Sequence, residues 1–278
     1  MLIEPQTCPP CSPRGTPTLR TRFFVSTLFA EGRVVLAAWA VPLLAVFLAG
    51  IATADEEIHW SYSGEHGPEH WGELSEAFEA CSDGVNQSPV DLADPVKADL
   101  GPIAPSYGGS AVAAINNGHT LQIEVGPGNS LDIDGQEFEL LQFHLHSPSE
   151  HRIEGKSFPL EAHFVHQNGR GELAVLAVLF RDGPPHAGLA KIGETAPRQI
   201  GRSEPFDVSL ADLGLVLTDR DYYRYSGSLT TPPCTEGVMW LVLKSTSHVA
   251  RAQVEGFVQL IGKDAREPQP LNGRAILH

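Results

Sequence analysis

Residues 138–166 read FELLQFHLHSPSEHRIEGKSFPLEAHFVH, and their alternation of apolar and polar positions decides how the chain folds. Phe138 to His146 reads as a strand, ended by the turn signals Ser147, Pro148 and Ser149. Pro159 to His166 reads as the next strand, turned by Asn168 and Gly169. Successive side chains of a strand point to opposite faces, so His144 and His146 share one side and Phe143 and Leu145 face the core on the other. An antiparallel neighbour brings His163 opposite the pair. Three imidazoles with no fourth protein ligand are the pattern of a catalytic zinc site, whose open position is left for water. The plainer reading stands beside it, because an H-x-H alone is common and lone strand histidines are mostly solvated or hydrogen-bonded.

The same parity supplies partners for the rings. Glu161 precedes His163 by two residues and Gln142 precedes His144 by two, so each shares a face with its histidine and can accept the proton of the second ring nitrogen. Val165 falls on that face as well. His166 falls on the opposite face, and both it and His151 read as structural or surface residues.

Working outward, Leu121–Val125 and Leu131–Gly135 alternate as half-buried strands, the second ending in an Asp-Gly turn signal. Glu172–Phe180 and Gly237–Lys244 are nearly all apolar, as strands buried on both faces should be. Helical candidates are few: Leu74–Cys81, a short piece near Leu189, and Ser247–Leu260. Residues 55–278 show no composition break or repeat, which predicts one strand-rich domain with short peripheral helices. The 27 Gly and 22 Pro fit many turns. A net charge of −15 leaves no surplus of Lys and Arg to neutralise phosphates and argues against nucleic-acid binding.

The first stretch differs in kind. Four Arg and one acid, Glu31, lie between Arg14 and Arg33, an apolar run follows from Val34 to Ala52, and Ala52-Thr53-Ala54 has the small-x-small form of a signal-peptidase site. Residues 1–54 thus read as an export signal cleaved after Ala54, with an uncleaved anchor as the alternative, since the apolar run is long enough to span a bilayer. Beyond Ala54 the cysteines are Cys81 and Cys234, suited to one disulfide in an oxidising compartment. Cys8 and Cys11 form a C-x-x-C with no βαβ pattern around it, so a redox role gains no support.

Over nearly all of residues 59–278 the chain resembles the α-class carbonic anhydrases. The matching strings are HWSY (59–62), GPEHW (67–71), NQSPV (86–90), NNGH (116–119), QFHLH (142–146), SEH (149–151), EAHFVH (161–166), YSGSLTTPP (225–233) and QPLN (269–272). The resemblance implies a central, mostly antiparallel ten-stranded twisted sheet with zinc at the floor of a conical cleft. It implies reversible hydration of carbon dioxide to bicarbonate and a proton by zinc-bound hydroxide, with weak ester hydrolysis on the side. By position it assigns His144, His146 and His163 to the metal. Thr230 and Glu150 orient the hydroxide, and Thr231 contacts bicarbonate or an inhibitor. Val165, Val175, Leu229, Val238 and Trp240 form an apolar wall for carbon dioxide. His119 is the proton shuttle, with Tyr62, Asn117 and Gln122 ordering the water between it and the metal. Cys81 and Cys234 match a disulfide of exported members.

The export reading places the protein in the periplasm or secreted, with no stable membrane association once the signal is removed, and a monomer or homodimer is expected. Ser147 and Pro148 stand where many members have Trp-Gly, as in bacterial members. A silent binding module on the same fold is disfavoured because all three histidines, Glu150 and Thr230 are present. A zinc peptidase is disfavoured because no H-E-x-x-H occurs.

Overall fold

β-Branched and aliphatic residues at alternate positions build most of the structure, a computed structural model that describes residues 58–216 and 221–278. The export segment expected over 1–54, with its cleavage site, lies outside the described residues. The strands are β1 (Asp91–Leu92), β2 (Ile103–Tyr107), β3 (Ser110–Asn116), β4 (Leu121–Val125), β5 (Asn129–Ile133), β6 (Gln136–His146), β7 (Arg152–Ile153), β8 (Leu160–Asn168), β9 (Leu173–Asp182), β10 (Arg202–Ser209), β11 (Tyr222–Ser228), β12 (Glu236–Leu243) and β13 (Ser247–Val249). The α-helices are α1 (Trp71–Leu74), α2 (Ala80–Asp83), α3 (Ala187–Thr195), α4 (Leu210–Leu213) and α5 (Arg251–Ile261). The strand-rich class and the sparse helices agree with the sequence reading.

One sheet runs β10-β3-β4-β6-β8-β9-β12-β11, with β13 added to β9 and a β2–β5 pair added to β6. It holds 11 strands among the described residues, where ten were expected, and a second sheet pairs β1 with β7. Most pairs are antiparallel, but β12 and β13 run parallel to β9. The centre is therefore mixed, and β9, flanked by β8 and β12, is buried along most of its length.

Two helix expectations need correction. Leu74–Cys81 is not one helix: Ser75 is extended at φ −165° and ψ 149°, and its Oγ accepts the N–H of Ala77, so the chain restarts as a 3-10 turn (Glu76–Phe78) before α2. Serine competes for backbone bonds in this way, which favours a cap over a helix interior. Ser247–Leu260 divides as well. Ser247–Val249 pairs with Phe180–Asp182 as β13, and the helix starts only at Arg251. An open ladder beside β9 outcompetes the local helical pattern there. Strands β2, β10 and β11 fall outside the sequence reading because Pro, Ser and Gly interrupt their alternation, and β3 because Ala111–Ile115 is apolar throughout and does not alternate.

The sheet separates two cores. Phe138, Phe143, Leu145, Phe164 and Leu176 pack on one face against residues of α3 and α5. Val165, Val175, Val238, Trp240 and Val242 pack on the other. The Cys81–Cys234 disulfide, with a Cα–Cα distance of 5.0 Å, ties α2 to the loop between β11 and β12. It spans 153 residues, and on the contested chain-entropy account a closure of that length contributes about 5 kcal/mol. No described helix is long and apolar enough to cross a membrane.

Candidate metal centre

The ladder register explains how distant residues meet. Gln122 of β4, His144 of β6, His163 of β8 and Ala177 of β9 form one cross-strand row. Gln142, Val165, Val175 and Trp240 form the next row on the same face. His146 and Glu161 pair beyond the first. A bulge makes this possible. The register shifts between Leu140 and Gln142, leaving Leu141 as the extra residue. Phe138 and Leu140 then share a core face with Phe143 and Leu145, and the histidine-bearing face stays free of them. A one-residue insertion flips every later side chain, and here it re-aims three.

The three histidine rings cluster, with centroids 4.9 Å apart for His144–His146, 5.3 Å for His144–His163 and 4.6 Å for His146–His163. One nitrogen of each ring is hydrogen-bonded outward. His144 Nδ1 meets Gln142 Oε1 at 2.9 Å, His146 Nδ1 meets the Asp264 carbonyl at 2.6 Å, and His163 Nε2 meets Glu161 Oε1 at 2.8 Å. With those protons donated outward, His144 Nε2, His146 Nε2 and His163 Nδ1 keep lone pairs. One ligating nitrogen from each ring lies within 4.8 Å of the other two, and His146 Nε2 is buried with no hydrogen-bond partner. An unpartnered buried nitrogen is costly, and a divalent cation removes that cost. The donor set thus fits a three-histidine zinc site.

Glu161 does more than parity predicted. Its Oε2 accepts the N–H groups of Glu150 and His151 at 2.8 and 2.9 Å, and its Oε1 also meets His151 Nδ1 at 2.6 Å. Its carboxyl is held well below the usual range: burial opposes ionisation, and His151 and His163 outweigh it. His151 is wholly buried and reaches Tyr225 Oη at 2.7 Å, so it is structural and not a surface residue. His166 is buried too, on the opposite face, bonded to Tyr107 Oη at 2.8 Å. Burial lowers the pKa of His144 strongly, helped by the neighbouring histidines, and lowers that of His163. These two rings stay neutral, as metal ligation requires, whereas at His146 burial is outweighed by Glu150 and Asp264, which raise its pKa.

Glu150 is buried beside the cluster. Its Oε1 accepts the Arg266 N–H at 2.9 Å, while its Oε2 has no hydrogen-bond partner and lies 3.7 Å from His146 Nε2. Thr230 is buried and Thr231 half-buried in the loop held by the disulfide. That loop is closed by Leu229 N–H to Thr235 O and Cys234 N–H to Thr231 O. Val165, Val175, Val238 and Trp240 form one buried cluster with Leu229 against it, and the Trp240 ring lies 4.8 Å from that of His163.

His119 is half-buried and stacked on Trp60, with centroids 3.7 Å apart and planes 7° from parallel. Tyr62 packs in the same aromatic group. Its buried hydroxyl has no hydrogen-bond partner, and burial, then Glu150 and Asp264, raise its pKa well above the usual value. Gln122 lies directly across from His144. Asn117 is exposed, and its Oδ1 accepts the N–H groups of His119 and Thr120, so that oxygen holds the turn. The sequence reading missed Asp264, which supplies the carbonyl for His146 from 118 residues away. Nothing in its local pattern marks it. Arg266 was also missed: buried, it binds Gln87 Oε1 and the Ser88 and Cys81 carbonyls at 2.9 Å each.

Comparison with known proteins agrees with this geometry. The profile of the eukaryotic-type carbonic anhydrase family matches residues 66–278. The chain is 42% identical over 228 residues to a carbonic anhydrase of Pectobacterium carotovorum, covering 82% of this chain and 93% of that one. It is 44% identical over 243 residues to a carbonic anhydrase of Neisseria gonorrhoeae, covering 86% and 95%. The solved structure of the α-carbonic anhydrase of Thermovibrio ammonificans, in complex with the inhibitor sulfanilamide, superposes with a TM-score of 0.77 at 44% identity, covering 80% of this chain and all of that one.

Proposed function

The chain belongs to the eukaryotic-type, α-class carbonic anhydrase family, and from that premise we propose that it hydrates carbon dioxide reversibly at a zinc ion held by His144, His146 and His163. One observation carries the assignment. Each ring commits one nitrogen to a hydrogen bond, and one nitrogen from each lies within 4.8 Å of the others.

Zinc in such a site acts as a Lewis acid that brings the pKa of a water down to about 7, a figure known from carbonic anhydrases themselves. The chain's own residues then hold and orient. Gln142, the Asp264 carbonyl and Glu161 fix the tautomer of each ring and keep it from rotating. Thr230 accepts a hydrogen bond from the reacting water and donates its own proton to Glu150 Oε2, the oxygen that has no other hydrogen-bond partner. That chain aims a lone pair at the substrate. Carbon dioxide offers no charge to grip, so Val165, Val175, Leu229, Val238 and Trp240 receive it by excluding water, with Thr231 beside the product. His119 takes the proton away, and Tyr62, Gln122 and Asn117 order the water between. An imidazole with a pKa near 6.5 both accepts and releases a proton at neutral pH. Weak ester hydrolysis at the same centre belongs to this proposal.

We also propose that residues 55–278 are the catalytic domain of a periplasmic or secreted enzyme, monomeric or homodimeric, released from an export signal at Ala54. The Cys81–Cys234 disulfide supports export, since such bonds persist in oxidising compartments.

Chelation tests the function. Carbon dioxide hydration followed by stopped flow should vanish when zinc is stripped and return with one equivalent per chain. Hydration that ignores the chelator, in protein shown to be zinc-free, would contradict it.

A further inference from the structure

A cavity of about 360 Å³ lies on the far side of the metal-bearing strands, between the sheet and helices α3 and α5. Leu121, Leu145 and Leu160 form its floor. Each is the sequence neighbour of a residue on the opposite face: Gln122, the histidines 144 and 146, and Glu161. Leu189, Ile192 and Phe257 supply apolar walls from the helices. We propose that this cavity is a second ligand site, separate from the metal cleft, for an uncharged apolar molecule of one or two rings.

Three features support an occupant of that class. Protein interiors are close-packed, and voids larger than a water are few, so an apolar space of this size on a well-packed sheet stands out. Apolar cavities less than half as large stay dry and take up aromatic molecules, and pockets for small organic ligands start at about 300 Å³. The wall is also rigid. Gln253 Oε1 accepts the N–H groups of His186 and Ala250, and its Nε2 donates to the His186 carbonyl at 2.8 Å. This fixes the spacing of α3 and α5 and engages both ends of the Gln253 amide, one of two amides on the lining with Gln259. The rim carries one acid, Glu194, and one base, Arg198, hence no net charge to select an ion.

Glycine keeps the opening clear. Gly193 lies inside α3 and Gly256 inside α5, both on the cavity lining, and a Cβ added at either meets nothing within 4 Å. Glycine is disfavoured in a helix interior, and no steric contact requires it at these two positions. Any larger side chain would narrow the opening.

The test uses 4-fluorotoluene as probe and the zinc-loaded protein, followed by ¹⁹F NMR with and without excess sulfanilamide to occupy the metal cleft. The proposal expects saturable binding that sulfanilamide does not displace. It expects Gly256→Leu or Gly193→Leu to weaken that binding at least tenfold while carbon dioxide hydration is unchanged. Thermal unfolding of each variant reports whether it is folded. No saturable binding in the presence of sulfanilamide, or binding that both folded variants retain, overturns the proposal. The metal assignment stands or falls separately, because hydration is read in the same samples.

Discussion

His144 and His163 are direct cross-strand partners, and they face the cleft together because Leu141 bulges from β6 a few residues earlier. If residues 138–146 alternated without the bulge, Phe138 and Leu140 would share the metal face with the histidines. Deleting Leu141 removes the bulge and leaves Phe138, Leu140, Phe143 and Leu145 in regular alternation, so stoichiometric zinc binding, measured by competition with a chromophoric chelator, should survive. Leu141→Ala, which keeps the residue count, should leave zinc binding intact. If the folded deletion variant binds no zinc, the bulge does more than absorb the extra residue.

Glu161 joins two backbone N–H groups and two rings through two oxygens. Glu161→Gln keeps its size and removes its charge, so His163 loses a strong acceptor. Outer partners of this kind account for about 10- to 100-fold in metal affinity, and a loss in that range is expected for the zinc dissociation constant. An unchanged constant would mean that the carboxylate only supports the backbone of residues 150 and 151.

His119→Ala should slow hydration at saturating carbon dioxide by roughly 10²-fold in weakly buffered solution, since general acid–base transfer contributes on that scale. The effect at low substrate should be much smaller, because proton removal limits only the saturated rate. Added imidazole should restore the rate. A variant indifferent to both conditions would leave the stacked His119–Trp60 pair a structural contact.

His166 carries a pH dependence of stability away from the metal. Burial depresses its pKa from 6.5 to about 4. The unfolded chain takes up its proton as pH falls through about 6.5, and the folded chain resists until about 4. The stability from the neutral buried ring is thus complete above pH 6.5 and is lost progressively between 6.5 and 4, up to about 3 kcal/mol. His166→Gln, which preserves a partner for Tyr107, should flatten urea-derived stability against pH across that window by as much as one proton. Parallel curves for the two proteins would contradict the assignment.

Much of the site could be read from the sequence because strand parity is a local rule. It put Gln142, Glu161 and Val165 with the right histidines, and the ladders agree. It could not find Asp264 or Arg266, whose contacts cross more than a hundred residues of chain. Nor could it see the bulge at Leu141, since an unbroken FELLQFHLH run carries no Gly or Pro to mark one. Helix boundaries failed where a competing partner existed, as at Ser75 and at Ser247 beside β9. The roles of Thr230, Glu150 and His119 came from family resemblance, and spacing alone would have left them as turn residues and a buried acid.

The most direct test of the central claim is the initial rate of carbon dioxide hydration by zinc-loaded wild-type protein beside His144→Ala at equal concentration. The account predicts a wild-type rate far above buffer and a variant at background. A folded, zinc-replete wild type that only matches buffer, or a His144→Ala variant that keeps the wild-type rate, would contradict it.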